Sequence, residues 1–232
     1  MKNYLRYMAV AIAAAAPSLG FAQTVLANWT FETSVPVTAG PFAAEGGLNA
    51  ASSFASGLHA SGSVAYSTPS GNGSAHSFSS NNWAVGDYYQ FTTSTTGFSN
   101  ISVVWDQVGS STGPKNFDLR YSTDGTNFTT AGSYTVLSTP SWSAGAAQTG
   151  ETYTFDLSGV TSLNQAATVT FRLVDTSTTS IGNGTVATTG TDRVDNFSIS
   201  SVPEPATYAA IFGGVALAGA FWRRRSRGVA VG

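Results

Sequence analysis

Residues 168–175 read Thr-Val-Thr-Phe-Arg-Leu-Val-Asp, and they alternate. Val169, Phe171 and Leu173 fall on one side of an extended chain, with Thr170, Arg172 and Val174 on the other. A period of two marks a half-buried strand, because successive Cβ atoms point to opposite faces of a sheet. The same pattern recurs through the middle of the chain. In residues 100–108 Ile101, Val103 and Trp105 oppose Ser102, Val104 and Asp106. In 116–122 Phe117, Leu119 and Tyr121 oppose Asp118 and Arg120, and in 152–158 Tyr153, Phe155 and Leu157 oppose Thr154 and Asp156. Trp29 and Trp105, each among apolar neighbours, read as core.

Turn chemistry separates these runs. Asp124-Gly125 between two strand-like stretches predicts a hairpin, and Asn72-Gly73 and Asn183-Gly184 mark further turns. Residues 157–168 allow one short helical turn, and no amphipathic helix of useful length is present between 23 and 201. Residues 34–62 and 176–191, small, polar and glycine-rich, read as long loops. Many short strands with one apolar face each predict an all-β fold, a two-sheet antiparallel jelly-roll sandwich over residues 23–201.

Charge and cysteine content exclude several functions. Between residues 23 and 202 the basic residues are Lys115, Arg120, Arg172 and Arg193, against eleven acidic ones, a formal charge of −7 where the whole chain of 232 residues carries −2. Such a domain has no basic footprint for nucleic acid. With no cysteine in the chain, thiol redox chemistry and thiolate metal sites are excluded. The positive charge sits at the two ends. Residues 1–22 have the form of a signal peptide: Lys2 and Arg6, an apolar run from Met8 to Ala16, helix breakers at Pro17 and Gly20, and small residues at Gly20 and Ala22. Cleavage is expected after Ala22, by signal peptidase after Sec-type export.

At the other end, residues 206–222 form an uncharged apolar run of a length suited to a short transmembrane helix, followed by Arg223, Arg224, Arg225 and Arg227. By the positive-inside rule the arginines stay in the cytoplasm and the domain lies outside. Pro203-Glu204-Pro205 precedes the run as a stiff, extended segment.

Motif, span and arginines in this order, over residues 202–227, resemble the PEP-CTERM sorting signal of Gram-negative bacteria. Such tails are substrates of exosortases, membrane-embedded cysteine transpeptidase-like enzymes. The resemblance implies that Pro203, Glu204 and Pro205 are the recognition motif and Arg223 to Arg227 the cytoplasmic stop. It also implies a chain exported, briefly anchored in the inner membrane, then released to the cell surface or an extracellular matrix rich in exopolysaccharide, as in biofilms.

Within the sandwich no catalytic motif is present: there is no G-x-S-x-G, no H-E-x-x-H and no phosphate-binding loop, and His59 and His76 stand in Ser/Gly-rich, loop-like context. No catalytic residue is assigned, and His59 is expected to be solvated. Asp106, Asp118 and Asp156 read as a hydrated sheet face with Arg120 and Arg172 as cross-strand partners. The opening stretch, Ala27 to Glu32, and the closing stretch around Asp195 resemble those of galactose-binding-like jelly rolls, which include many carbohydrate-binding modules. That resemblance implies one structural calcium held by Glu32 and Asp195 with loop carbonyls. Trp83 and Trp142 lie in loop-like contexts, where an indole either stacks on a sugar or plugs the end of the sandwich. The leading expectation is a non-enzymatic surface or matrix protein. The alternative is a carbohydrate-binding module, and the third reading is a polysaccharide hydrolase.

Overall fold

A computed structural model describes residues 23–137 and 142–203. Among these residues twelve strands form two six-stranded, wholly antiparallel sheets. The first sheet holds β1 (Thr24–Trp29), β4 (Tyr66–Ser67), β5 (Phe78–Ser80), β7 (Phe98–Gly109), β10 (Thr152–Asp156) and β12 (Asp192–Pro203). The second has the order β2 (Phe42–Ala43), β3 (Phe54–Leu58), β6 (Tyr88–Thr93), β11 (Val169–Asp175), β8 (Asn116–Ser122), β9 (Thr129–Thr135). From β5 to β8 and again from β9 to β12 the chain changes sheet at every connection. This is the expected jelly-roll sandwich.

β12 is the axis of the first sheet. One edge pairs with β7 along its length; the other pairs first with β5 through residues 192–194 and then with β1 through residues 197–201. The alternating residues face inward as expected. Ile101, Val103 and Trp105 from β7 and Phe197 and Ile199 from β12 meet Tyr89 and Phe91 from β6, Phe171 and Leu173 from β11, and Phe117 and Leu119 from β8, all fully buried. Aromatic contact dominates the seam: the Phe91 and Phe197 rings stack across the sheets with centroids 3.5 Å apart, and Trp29 packs edge-on against both.

The β8–β9 hairpin turns at Asp124-Gly125, with Gly125 at φ +73°. The short helical turn is a 3₁₀ turn at Thr161–Leu163. Residues 176–191 are irregular, apart from isolated bridges of Thr179 with Thr185 and of Ser180 with Pro114. Residues 34–62 depart from the expected loop, because β2 and β3 lie within them and β3 pairs with β6 over its full length. Small residues hid this strand. A Cβ on Gly57 would stand 2.9 Å from the Tyr66 ring and 3.2 Å from the Phe78 ring, so close packing there requires the residue that weakens a strand signal. Among the described residues no helix is long and apolar enough to cross a membrane. Residues 1–22 with Ala22, Glu204 and Pro205, the apolar run 206–222 and Arg223 to Arg227 lie outside the described residues.

Candidate functional site

The pairing of β1 with β12 brings the two ends of the domain together. Beyond Trp29 the chain turns sharply: Phe31, at φ +57°, buries its ring, and Glu32 is left outside at the rim, three residues past the strand it was expected to end. On β12 the ladder to β7 is interrupted between Asp195 and Ser198, with Asn196 at φ +51°. Such a bulge re-aims the side chain beside it. Asp195 is fully buried and faces the loop of residues 71–76.

Both carboxylates engage that loop. Glu32 Oε1 accepts the backbone N–H of His76 at 2.8 Å. Asp195 Oδ2 accepts the Asn72 N–H at 2.9 Å and the Ser74 hydroxyl at 2.8 Å, while Oδ1 accepts the Asn196 N–H at 2.8 Å. Burial pushes the Asp195 carboxyl up to about 7 against these hydrogen bonds, and the nearby Asp106 adds to the rise. Asp106 itself accepts from Thr152 and Asn196. At Gly71 three oxygens converge: a Cβ there would lie 2.0 Å from Ser74 Oγ, 2.1 Å from the His76 carbonyl oxygen and 2.2 Å from Asp195 Oδ2. Ser74 Oγ donates to the His76 carbonyl at 3.1 Å as well as to Asp195, so hydrogen bonds hold this all-oxygen cradle together. Among the described residues no cluster of three or more His, Cys, Asp or Glu side chains is arranged to hold a metal, so carbonyl and hydroxyl oxygens would have to complete any such site.

A second polar network lies at the other end of β5. His59 Nδ1 is 3.1 Å from Asp87 Oδ2, His59 Nε2 is 3.0 Å from Ser80 Oγ, and Ser80 Oγ is 3.0 Å from the Tyr89 hydroxyl, which donates to the Asp192 carbonyl at 2.8 Å. Serine, histidine and aspartate thus stand in the order of a hydrolytic relay. The serine is 1% exposed and already shared between His59 and Tyr89. The Trp83 indole packs on the imidazole with ring centroids 4.4 Å apart. In this geometry the network ties β3, β5, β6 and β12 together and presents no nucleophile. His59, expected to be solvated, has a fully buried side chain, and burial lowers its pKa against the pull of Asp87. The missed signal was a period of two: Ala55, Gly57 and His59 all face inward.

Trp83 and Trp142 are 7% and 4% exposed, so neither holds an open ring face to solvent. Large indoles contribute most when buried, and here that outweighs display. Trp83 Nε1 donates to the Ser80 carbonyl, and the Arg193 guanidinium lies 5.2 Å from the Trp142 ring centroid. Trp83 also lines a cavity of about 260 Å³ with Val85, Asp175, Thr185 and Val186. Burial pushes the Asp175 carboxyl there up to about 6.

The expected pairing on the polar faces is also revised. Arg120 bonds Asp118 on its own strand, through Nη2 at 2.9 Å. Arg172 lies directly opposite Arg120 rather than opposite an acid.

Among solved structures the chain is similar to the K2 adhesin domain of Lys-gingipain, at 17% identity over 77% of this chain and 99% of that one, TM-score 0.43. It is similar to the CBM22-2 xylan-binding domain of Paenibacillus barcinonensis Xyn10C, at 11% identity over 75% and 98%, TM-score 0.42. It is also similar to TmCBM61, solved with β-1,4-galactotriose, at 11% identity over 66% and 88%, TM-score 0.35. No curated protein matches the chain. β12 carries its ladder to Val202 and Pro203, paired with Ser99 and Phe98, so Pro203, the first of the three expected recognition residues, lies in the sheet itself. Residues 201–225 match the PEP-CTERM protein-sorting motif, and the chain is therefore an exported protein, anchored at the membrane before it is processed.

Proposed function

We propose that this chain is a non-enzymatic surface or matrix protein, cut by an exosortase near Pro203-Glu204-Pro205 and retained among the exopolysaccharide of a biofilm. The observation that carries this reading is the junction of sandwich and sorting motif, which share residues 201–203 of β12. Removal of the tail would leave the sandwich displayed. The absence of an accessible nucleophile in the Ser80–His59–Asp87 network supports a binding rather than a hydrolytic role. Carbohydrate binding is the second reading, favoured by the outer face of the second sheet, where aromatic rings, hydroxyls and a guanidinium lie side by side.

We propose further that Glu32 and Asp195, with the Ser74 hydroxyl and the His76 carbonyl, hold one structural calcium. A bound calcium would neutralise the buried Asp195 and fasten the loop of residues 71–76 to both ends of the domain. Asp195 fixes that loop through Asn72 and Ser74, and Glu32 fixes it through His76.

Retention is tested by following the processed protein in matrix and medium fractions of a polysaccharide-producing strain and its polysaccharide-null derivative. The proposal expects the protein in the matrix of the first and in the medium of the second. Equal partition in both strains would remove the link to exopolysaccharide.

A further inference from the structure

The outer face of the second sheet carries an arrangement that neither sorting nor packing uses. Register sets Ser56, Gln90, Arg172 and Arg120 in one row across β3, β6, β11 and β8. Their strand neighbours Tyr89, Phe91, Phe171, Leu173 and Leu119 are buried in the core, so this row faces away from it. Two arginines opposite one another repel, and a sheet is destabilised by such a pair. The domain nevertheless places two of its four basic residues this way, in a chain segment where acids outnumber bases.

The two guanidinium groups are not equivalent. Arg120 has its counter-charge in Asp118, which also accepts from Ser133. Among the described residues no carboxylate lies within ion-pair distance of Arg172. Asp124, at the nearby hairpin tip, spends its carboxylate on Ser122, Thr126 and Asn127. Arg172 is instead positioned by neutral groups. Its Nε donates to Gln90 at 2.8 Å, and its Cζ lies 4.0 Å from the Tyr88 ring centroid and 3.6 Å from that of Phe128. Rings fix a guanidinium by cation–π attraction without neutralising it, and its planar donor edge matches a carboxylate. Around it lie the Thr92 and Thr170 hydroxyls and the exposed apolar surfaces of Phe54 and Leu58, 45% and 53% open to solvent. A cation held ready, hydroxyls and apolar patches on one sheet face form a surface on which a sugar ring can lie while its acid group is bound.

We propose that this face binds an acidic polysaccharide, with a uronate carboxylate on Arg172. The proposal rests on the carbohydrate reading above and adds the charge of the ligand and the surface that takes it. It gives Arg172 the counter-charge that Asp118 gives Arg120.

Calorimetric titration of the full chain in detergent, with polygalacturonate fragments and with neutral galactan fragments of equal length, tests it. The uronate fragments should bind, more weakly at high salt, with the neutral fragments at least about tenfold weaker. Arg172→Gln and Arg172→Lys should each lower uronate affinity about tenfold, since lysine offers neither the planar fork nor the ring stacking. A thermal melt of each variant identifies any that fail to fold, and the comparison of uronate with neutral probe on the unaltered chain stands without them. If both probes bind equally, or if folded Arg172 variants bind the uronate unchanged, this inference falls and the carbohydrate reading survives. If neither probe binds, both fall.

Discussion

At Asp195 the cost of burying a carboxylate is set against what the site could gain. Its oxygens already accept three hydrogen bonds, yet burial still holds its pKa up to about 7. A cation drawn to the oxygens that converge at Gly71 would remove that penalty. Because only the folded chain presents this cradle, binding would add stability by mass action, about 2.7 kcal/mol at a hundredfold excess over the dissociation constant. Thermal melts should therefore rise with millimolar calcium and fall with chelator, and Glu32→Gln should lose most of the difference. Identical melts in calcium and chelator would leave Glu32 and Asp195 as hydrogen-bonding residues only. Neither the cradle nor the buried state of Asp195 could be read from the sequence. Resemblance names Glu32 and Asp195, but the Ser74 and His76 oxygens beside Gly71 are gathered by a loop whose composition signals only a turn.

Strand by strand, legibility followed the size of the inward residues. β7, β8, β10 and β11 announce themselves because every second residue is large and apolar. β3 does not, since its inward positions are Ala55 and Gly57, with His59 just beyond the strand. Close approach of Tyr66 and Phe78 requires the glycine at 57, and the same requirement erases the pattern. Gly57→Ala should thus destabilise the domain by about 1–3 kcal/mol, as overpacking does, although alanine is the better residue in an unconstrained strand. Chemical denaturation measures this, and an unchanged midpoint would mean that the two rings yield. The Arg120–Arg172 opposition was likewise beyond the sequence, for cross-strand neighbours are set by register between strands about fifty residues apart in the chain.

For the molecule as a whole, buried acids govern the response to pH. Asp195 at about 7 and Asp175 at about 6 both lie above the ordinary value of 3.8. The folded chain therefore keeps protons that the unfolded chain releases. Their contribution to stability is complete below the unfolded value and is lost as pH rises through about 6 to 7. Glu45 and Asp118, held low, act in the opposite sense but only in the acid range below their ordinary values. His59, lowered by burial, opposes the two aspartates below its ordinary 6.5, but Asp192 and Glu151, also raised by burial, act on their side. In chelator the melting temperature should fall between about pH 5 and pH 8, and calcium should shrink that fall by keeping Asp195 ionised and paired. A melting temperature that climbs across this window in chelator would contradict the assignment.

The whole molecule is a sandwich exported, held at the membrane by its tail and, we propose, freed by a cut beside its last strand. The sheet itself limits where that cut can fall. Val202 and Pro203 still pair with Ser99 and Phe98, so cleavage before them would strip the end of β12 from the ladder. Intact-mass spectrometry of the mature protein from an exosortase-positive host and from its exosortase-null derivative tests this most directly. The first host should yield a chain that begins after Ala22, ends at or just after Pro203 and lacks Arg223 to Arg227; the second, one that keeps the whole tail. A mature protein that still carries those arginines in the exosortase-positive host would contradict it.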